Sequence, residues 1–133
     1  MDLTLAAGIL EGLMEHAKSA YPKEGCGLLA GRLTAERFIP MMNTASSLTE
    51  YQMDPGELIA TLRDLRETGE HLIAIYHSHP NGPAEPSQTD IGRAYYPDAA
   101  QLIVSLAEPE RPRAAAFRII DGEVIPIEVH VVV

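Results

Sequence analysis

Two histidines, His77 and His79, stand two residues apart at the end of the apolar run "HLIAIYHSH". Side chains at positions i and i+2 of a strand point to the same face, so a strand here would present both imidazoles together. Imidazole nitrogens are good ligands for zinc and similar metals, although a catalytic zinc usually has three protein ligands and a water molecule. Asp90 is the natural third ligand, because the loop between Pro80 and Pro86 can turn back and bring it beside the histidines.

Each part of this pattern also has an ordinary structural explanation. The segment "SQTD" is a capping box, in which Ser87 at the N-cap and Asp90 at N3 would satisfy free amide groups at the start of a helix. The two histidines could equally be polar residues at the end of a strand. Their conjunction with a proline-stiffened loop favours a metal site, and Ser87 can still cap a helix in that case.

Hydrolysis at such a site needs a base as well as a metal. A zinc ion held by two imidazoles and one carboxylate keeps a positive charge, which brings the pKa of a bound water towards neutral. A neighbouring glutamate could then take the proton and pass it to the leaving group. Glu24 opens the glycine-rich segment "EGCGLLAG", and Glu85 lies in the loop before Ser87. Spacing alone does not separate these two candidates.

Helical patterns occupy three stretches of the chain. Residues 3–20 have apolar side chains at helical spacing, and Pro22 predicts an end near Ala20. Residues 54–69 form the clearest helix pattern, with Asp54 at the N-cap, Pro55 at N1 and Gly69 just past the end. Residues 87–96 could form a short helix before Pro97.

Strand patterns fill most of the remaining chain. They cover residues 25–32, 36–43, 71–79 and 100–107, and Pro40 predicts that the second of these lies at a sheet edge. Residues 113–133 predict two strands joined by Asp121-Gly122, a strong hairpin signal. Because helices and strands alternate and a hairpin follows, the chain is predicted to be α/β, with a mixed β-sheet flanked by helices, in one domain over residues 1–133.

The net charge and the cysteine content limit the binding partners and the cellular compartment that we expect for this chain. The chain has 10 Lys+Arg and 19 Asp+Glu, a formal charge of −9, which argues against nucleic acid and anionic membranes as partners. No apolar run approaches the ~20 residues that cross a bilayer, and the N-terminus shows no signal peptide. Cys26 is the only cysteine, so a reducing cytoplasm is expected. Its thiol is either a small buried group or, since Cys26 lies two residues after Glu24, close to the metal.

The other histidines and the tyrosines have simpler interpretations than a role in catalysis. We read His16, His71 and His130 as structural or exposed. The tyrosines Tyr51, Tyr95 and Tyr96 could line a substrate groove, or they could equally pack in the core or on the surface.

The motif residues resemble those of a known family. Glu24, then His77-Ser78-His79-Pro80, six residues, and Ser87-Gln88-Thr89-Asp90 resemble the JAMM motif of the MPN+ zinc metallopeptidases. The segment "YPKEGCGLLAG" is similar to the family's opening segment, and the resemblance runs from about residue 3 through 128. The resemblance implies a mixed sheet flanked by helices, with cytidine-deaminase-like layering, in a small prokaryotic stand-alone member.

The resemblance also implies a role for each motif residue. Glu24 would be the general base, which makes Glu85 a loop residue. His77, His79 and Asp90 would hold one zinc ion per chain. Ser87 would donate a hydrogen bond to the developing oxyanion.

The family implies a substrate class as well. Its active members hydrolyse amide or isopeptide bonds after the Gly-Gly C-terminus of ubiquitin-like proteins, and small prokaryotic members are linked to sulfur-carrier proteins. Only residues 91–100 separate Asp90 from the next strand, so we expect no dedicated loops that read ubiquitin chains. A noncatalytic MPN scaffold and a hydrolase of small peptides or amides remain the alternatives, and the sequence does not fix the oligomeric state.

Overall fold

Strands and helices alternate along residues 2–132, the part of the chain that this computed structural model describes. That range contains eight strands and three helices. In chain order they are β1 Leu3–Leu5, α1 Ile9–Ala20, β2 Cys26–Gly31, β3 Arg37–Met41, α2 Pro55–Thr68, β4 His71–His79, α3 Gln88–Gly92, β5 Ala100–Ser105, β6 Arg113–Ile120, β7 Glu123–Ile127 and β8 Val129–Val131.

Six strands form one mixed sheet in the order β3-β2-β4-β5-β6-β7. β4 and β5 are parallel, and every other neighbouring pair in this sheet is antiparallel. Parallel neighbours need a crossover connection, which here carries α3. The predicted α/β class with a mixed sheet is confirmed, and β3 lies at an edge, as Pro40 predicted.

The prediction of one helix over residues 3–20 is wrong at its start. Leu3–Leu5 form β1, which pairs in parallel with β8 as a separate two-stranded sheet. Leu3 and Leu5 are buried while Thr4 is half-buried, an alternation that belongs to a strand. Gly8, at a φ of 86°, then begins α1, and α1 ends at Ala20 as expected. The predicted final strand likewise divides, because β7 stays in the main sheet and β8 leaves it.

Local turn and cap chemistry explains where the other elements begin and end. Asp54 accepts a hydrogen bond from the Glu57 N–H at 3.0 Å, and Gly69 ends α2 at a φ of 77°. Asp121 and Gly122, at φ values of 52° and 79°, make the turn between β6 and β7. The third helix is shorter than predicted and ends at Gly92, a residue with low helix propensity.

Two apolar layers cover the main sheet. On one face α1 and β1 pack against alternate residues such as Leu29 and Tyr76, and on the other face Leu28 and Ile75 face the residues around α2. Because side chains alternate along β4, His77 and His79 continue the row of Ile75 and lie on the α2 side. In the described range, the helices are too short or too polar to cross a membrane.

Candidate active site

The end of β4 brings two imidazoles together inside the protein. β4 lies between β2 and β5, so the sheet covers it along both edges. His77 is 1% exposed and His79 is 8% exposed. Their rings share a face of the sheet, and their Nε2 atoms lie 3.0 Å apart.

The loop after β4 fixes the orientation of His79. Its Nδ1 lies 2.8 Å from the carbonyl oxygen of Pro83. A carbonyl can only accept, so Nδ1 carries a proton and donates it, which leaves Nε2 with a lone pair in the neutral ring. The loop is in turn held to β5, because Ser105 Oγ donates to the Gly82 carbonyl at 2.6 Å.

The start of α3 supplies a carboxylate. Ser87 Oγ accepts from the Asp90 N–H at 3.1 Å, and Asp90 Oδ2 accepts from the Ser87 N–H at 2.9 Å. The same Oδ2 lies 3.1 Å from Nε2 of His77 and 3.1 Å from Nε2 of His79. The capping box and the contact with the histidines, which the sequence presents as alternatives, therefore coexist.

These three side chains form a donor set that fits a metal ion. The two Nε2 atoms and Asp90 Oδ2 make a triangle with sides of 3.0, 3.1 and 3.1 Å. Ligand atoms at about 2.0–2.1 Å from a tetrahedral zinc would be roughly 3.3 Å apart, close to this size. A neutral His79 would point a lone pair at the Asp90 carboxylate, and the two repel unless a cation lies between them. The triangle therefore favours a bound cation.

The pKa shifts of the three side chains reflect the same attraction of this cluster for positive charge. Burial opposes ionisation of Asp90, but hydrogen bonds with His77 and His79 outweigh it and hold the pKa of Asp90 well below its usual range. Burial lowers the pKa of His77, so its ring is neutral. Burial also favours a neutral His79, yet its hydrogen bonds to Asp90 and the Pro83 carbonyl raise its pKa. An anionic carboxylate and a neutral imidazole are the forms that bind metals.

Glu24 faces the same histidines from a different element. It lies two residues before β2, and ligand atoms of Glu24, His77 and His79 are all within 4.8 Å of one another. Its side chain is 4% exposed, and Oε1 has no hydrogen-bond partner among the described residues. Burial raises the pKa of Glu24 to about 7, with His79 opposing the rise and Asp90 adding to it. A carboxyl that titrates near neutral pH can both take up and release a proton.

The rival glutamate lies away from this cluster. Glu85 is exposed and lines a separate cavity with Ser105 and Arg113. Within the described residues, the glutamate grouped with the two histidines is Glu24. Position in the fold thus favours Glu24 over Glu85 as the candidate base.

Cys26 lies beside the site without a polar role in it. Its Sγ is buried and directs its proton towards the Met41 carbonyl oxygen at 3.6 Å. It packs in the apolar cluster with Leu28 and Ile75, and burial raises the pKa of the thiol to about 12. The interpretation as a small buried residue fits these contacts, because a neutral thiol is a poor metal ligand.

Asn43, which no sequence motif singles out, ties Glu24 to the loop before α2. Its Nδ2 donates to the Glu24 carbonyl at 2.9 Å, while its Oδ1 accepts from the Ala45 N–H at 2.9 Å and the Gln52 N–H at 3.0 Å. One amide group therefore holds the backbone of the proposed base and both ends of the loop. An asparagine at the end of a predicted strand is the available signal, but it is equally typical of a simple turn.

Tyr51, at the other end of that loop, packs on the site. Its ring stacks on His77 with a centroid distance of 4.6 Å and an interplanar angle of 24°. With Tyr95 and Tyr96 it also lines a cavity that reaches Asp90. The sequence leaves the role of these tyrosines open, and Tyr51 both lines this cavity and packs against the apolar cluster around Cys26.

Ser78 lies between the two histidines, and its side chain points to the opposite face of the sheet. It holds the backbone next to Glu24 in place. Its Oγ accepts from the Gly25 N–H at 2.7 Å, and its own N–H donates to the Gly25 carbonyl at 2.9 Å. A Cβ on Gly25 would come within 2.8 Å of the Tyr76 hydroxyl and 2.9 Å of His16 Nδ1. Glycine is therefore required beside Glu24, and His16 has the structural role expected of it.

The two remaining histidines do not reach this site. His71 is the exposed first residue of β4. His130 on β8 is also exposed and forms a surface ion pair, with Nε2 at 3.0 Å from Asp2 Oδ2.

Comparison with known proteins agrees with the fold. The CysO-cysteine peptidase of Mycobacterium tuberculosis is 38% identical over 133 residues, covering 98% of this chain and 91% of the relative. A probable TtuB-protein conjugate cleaving protease of Thermus thermophilus is 48% identical over 93 residues, 69% of this chain and 63% of the relative. The solution structure of protein DSY2949 from Desulfitobacterium hafniense is 36% identical, with a TM-score of 0.88 over 98% of this chain and 92% of that one.

The fold and the donor set define a metal-binding α/β domain. A family model described as prokaryotic homologs of the JAB domain matches residues 6–120. The chain belongs to this family, and the predicted resemblance to JAMM/MPN+ proteins is confirmed.

Proposed function

We propose that this protein is a zinc metallopeptidase that hydrolyses the amide bond after the Gly-Gly C-terminus of ubiquitin-like or sulfur-carrier proteins. His77, His79 and Asp90 hold one zinc ion per chain, Glu24 is the general base and Ser87 assists at the scissile carbonyl. The observation that carries the proposal is the buried Glu24 carboxyl within 4.8 Å of the paired histidines. The activities for which the mycobacterial and Thermus relatives are named support the same class of reaction.

Glu24 moves the proton in this reaction. Zinc would supply a Lewis acid that polarises the carbonyl and acidifies a water molecule. Glu24, with a pKa raised to about 7 by burial, takes a proton from the attacking water and returns it to the departing amine. Asn43 and Ser78 hold the peptide group between Glu24 and Gly25, Asn43 at its carbonyl oxygen and Ser78 at its N–H, which keeps the Glu24 carboxyl aimed at the histidines.

Ser87 supplies a hydrogen-bond donor at the edge of the site. Its Oγ accepts from the Asp90 N–H, so the hydroxyl proton is left to donate. A donor that strengthens as charge develops on the carbonyl oxygen contributes to the rate more than to substrate binding.

The partner in this proposal is an extended protein tail. A Gly-Gly tail is narrow and can pair with a strand edge through its backbone. The proposal includes a cytoplasmic setting, for which the single, unpaired Cys26 is the support.

The test is hydrolysis of ubiquitin-like proteins whose Gly-Gly tail is extended by further residues, read by mass spectrometry. We expect cleavage directly after Gly-Gly, and its loss in the presence of a chelator. Glu24→Gln should keep one zinc per chain but lose activity, whereas Glu85→Gln is the matched glutamate control and should retain it. Zinc retention without cleavage of any tail would support a scaffold instead, and cleavage of small amides without preference for the tail would support the small-substrate alternative.

A further inference from the structure

The two histidines of the proposed metal site are held in different ways. His79 donates from Nδ1 to the Pro83 carbonyl oxygen at 2.8 Å. The Nδ1 atom of His77 is buried and has no hydrogen-bond partner among the residues that the structure describes. A histidine that binds a metal through Nε2 carries its proton on Nδ1, and that N–H almost always has an acceptor that fixes the ring. Another contact must therefore fix the ring of His77.

The ring of Tyr51 makes that contact. It stacks on the imidazole of His77 with a centroid distance of 4.6 Å and an interplanar angle of 24°. The His79 ring meets the His77 ring more steeply, at 60°, with the centroids 4.9 Å apart. A stacked ring restricts rotation of the imidazole about its bond to Cβ. In the orientation that results, Nε2 of His77 lies 3.1 Å from Asp90 Oδ2.

Contacts on both sides of Tyr51 hold its backbone in place. On one side, Glu50 Oε1 lies 2.9 Å from a terminal nitrogen of Arg93, the residue directly after α3. On the other side, the Gln52 carbonyl accepts from the Thr44 N–H at 2.8 Å and from the Thr44 hydroxyl at 3.1 Å. The position of the ring over the histidine is therefore set by the loop as well as by the tyrosine side chain.

Metal binding should strengthen this stack. The imidazole loses electron density when its Nε2 binds a cation, so the ring becomes positively polarised. The face of a phenol ring carries partial negative charge and attracts positive groups above it. His77 is only 1% exposed, so this attraction acts where water is largely excluded. The contact is then more favourable with the metal bound than without it, and the difference adds to the metal affinity.

We infer that Tyr51 is a positioning residue for His77 and raises the affinity of the site for zinc. Its ring does for His77 what the Pro83 carbonyl does for His79. The inference rests on the proposed function, because it takes His77 as a zinc ligand. The role belongs to the aromatic face, so the Tyr51 hydroxyl is not needed for it.

The test measures zinc binding to the metal-free protein by competition with a chromophoric chelator. For Tyr51→Leu we expect a zinc dissociation constant about tenfold higher than for wild type, the size of a desolvated cation–π contact. Tyr51→Phe keeps an aromatic face and should stay within about threefold of wild type. Tyr51→Met fills more of the volume without an aromatic face, so it should resemble Tyr51→Leu and replaces that variant if it does not fold. Wild-type affinity in Tyr51→Leu or Tyr51→Met would overturn the inference.

Tyr96→Leu is the matched control. Tyr96 lines the same cavity as Tyr51 and packs against the same apolar cluster, but the ring that the structure shows stacked on His77 is that of Tyr51. The zinc dissociation constant of Tyr96→Leu should match that of wild type. If Tyr96→Leu weakens zinc binding as much as Tyr51→Leu does, a general loss of packing explains both and the inference is wrong.

The inference and the proposed function can fail separately, because zinc affinity is measured without substrate. Zinc binding that depends on Tyr51, in a protein that cleaves no Gly-Gly tail, would refute the proposed substrate class and support the inference. Cleavage of the tail by a wild type whose zinc affinity equals that of Tyr51→Leu would support the proposed function and refute the inference. A wild type that binds no zinc would refute both.

Discussion

Two carboxyl groups beside the same histidines have opposite pKa shifts, and their contacts explain why. Asp90 Oδ2 is within hydrogen-bond distance of two imidazoles and one backbone N–H, so its anion is stabilised. Glu24 Oε1 is buried without a partner among the described residues, so its anion is penalised. Asp90 is therefore suited to hold a cation and Glu24 to exchange a proton, a division of roles that neither residue type nor sequence position reveals.

The Glu24 shift predicts a pH-dependent stability of the metal-free protein. Burial raises the pKa of Glu24 from 4.5 to about 7, so its contribution is fully present below pH 4.5 and is lost as pH rises through about 7. At about 1.4 kcal/mol per pKa unit, the loss relative to Glu24→Gln reaches about 3 kcal/mol. Urea unfolding in a chelator at pH 5, 6, 7 and 8 measures it. Exposed Glu85→Gln should follow wild type, and parallel curves for wild type and Glu24→Gln would contradict the prediction.

At the scale of elements, the site is assembled from the ends of β2 and β4, the start of α3 and the loop before α2. The sequence predicts β4 well, because "HLIAIYHSH" is apolar, β-branched and bounded by Gly69 and Pro80. It predicts a loop over residues 43–52 but not the shape of that loop, which depends on a hydrogen bond from Asn43 to Glu24, a contact between distant parts of the chain. Contacts of this kind leave no local periodicity to read.

Asn43 should be more important to catalysis than to metal binding. Asn43→Ala removes three hydrogen bonds, each contributing about 1 kcal/mol, and frees the backbone of Glu24. We expect a stability loss of about 1–3 kcal/mol and at least a tenfold fall in kcat, with zinc content unchanged. Ser47→Ala is the control in the same loop, since the Ser47 side chain bonds to Thr49 and, among the residues that the structure describes, does not reach Glu24. Zinc loss in Asn43→Ala would show that the hydrogen bonds of Asn43 support the metal ligands instead of the base.

The two N-cap residues allow the helix-capping role of Ser87 to be separated from its proposed catalytic role. Asp54→Ala and Ser87→Ala each remove a side chain that caps a helix, and each should cost about 1 kcal/mol of stability. Only Ser87→Ala should also lower kcat, by about 10²–10³-fold, with KM little changed. Steady-state kinetics and urea unfolding of both variants decide this. Equal kcat values for the two variants would show that Ser87 caps α3 and has no role in catalysis.

At the scale of the whole molecule, the sequence predicts the main sheet but not the small second sheet in which β1 pairs with β8. The helix predicted over residues 3–20 begins late because Leu3 and Leu5 pair with β8 near the other end of the chain. A three-residue strand is shorter than the window in which periodicity can be read, and its partner is more than 120 residues away. The motif is easier to find, because His77, His79 and Asp90 occur within 14 residues of one another.

Metal binding should stabilise the whole fold, since its ligands lie on both sides of the loop that leaves β4. His77 and His79 end β4 and Asp90 begins α3, so a bound ion joins two elements that the unfolded chain does not hold together. Zinc at a thousandfold excess over its dissociation constant would add about 4 kcal/mol to the free energy of unfolding. We expect the melting temperature to rise with zinc in wild type and in His71→Ala, which alters the exposed histidine at the other end of β4. The melting temperature of His77→Ala should not change with zinc. A zinc-dependent shift that persists in this variant would show that the metal binds elsewhere.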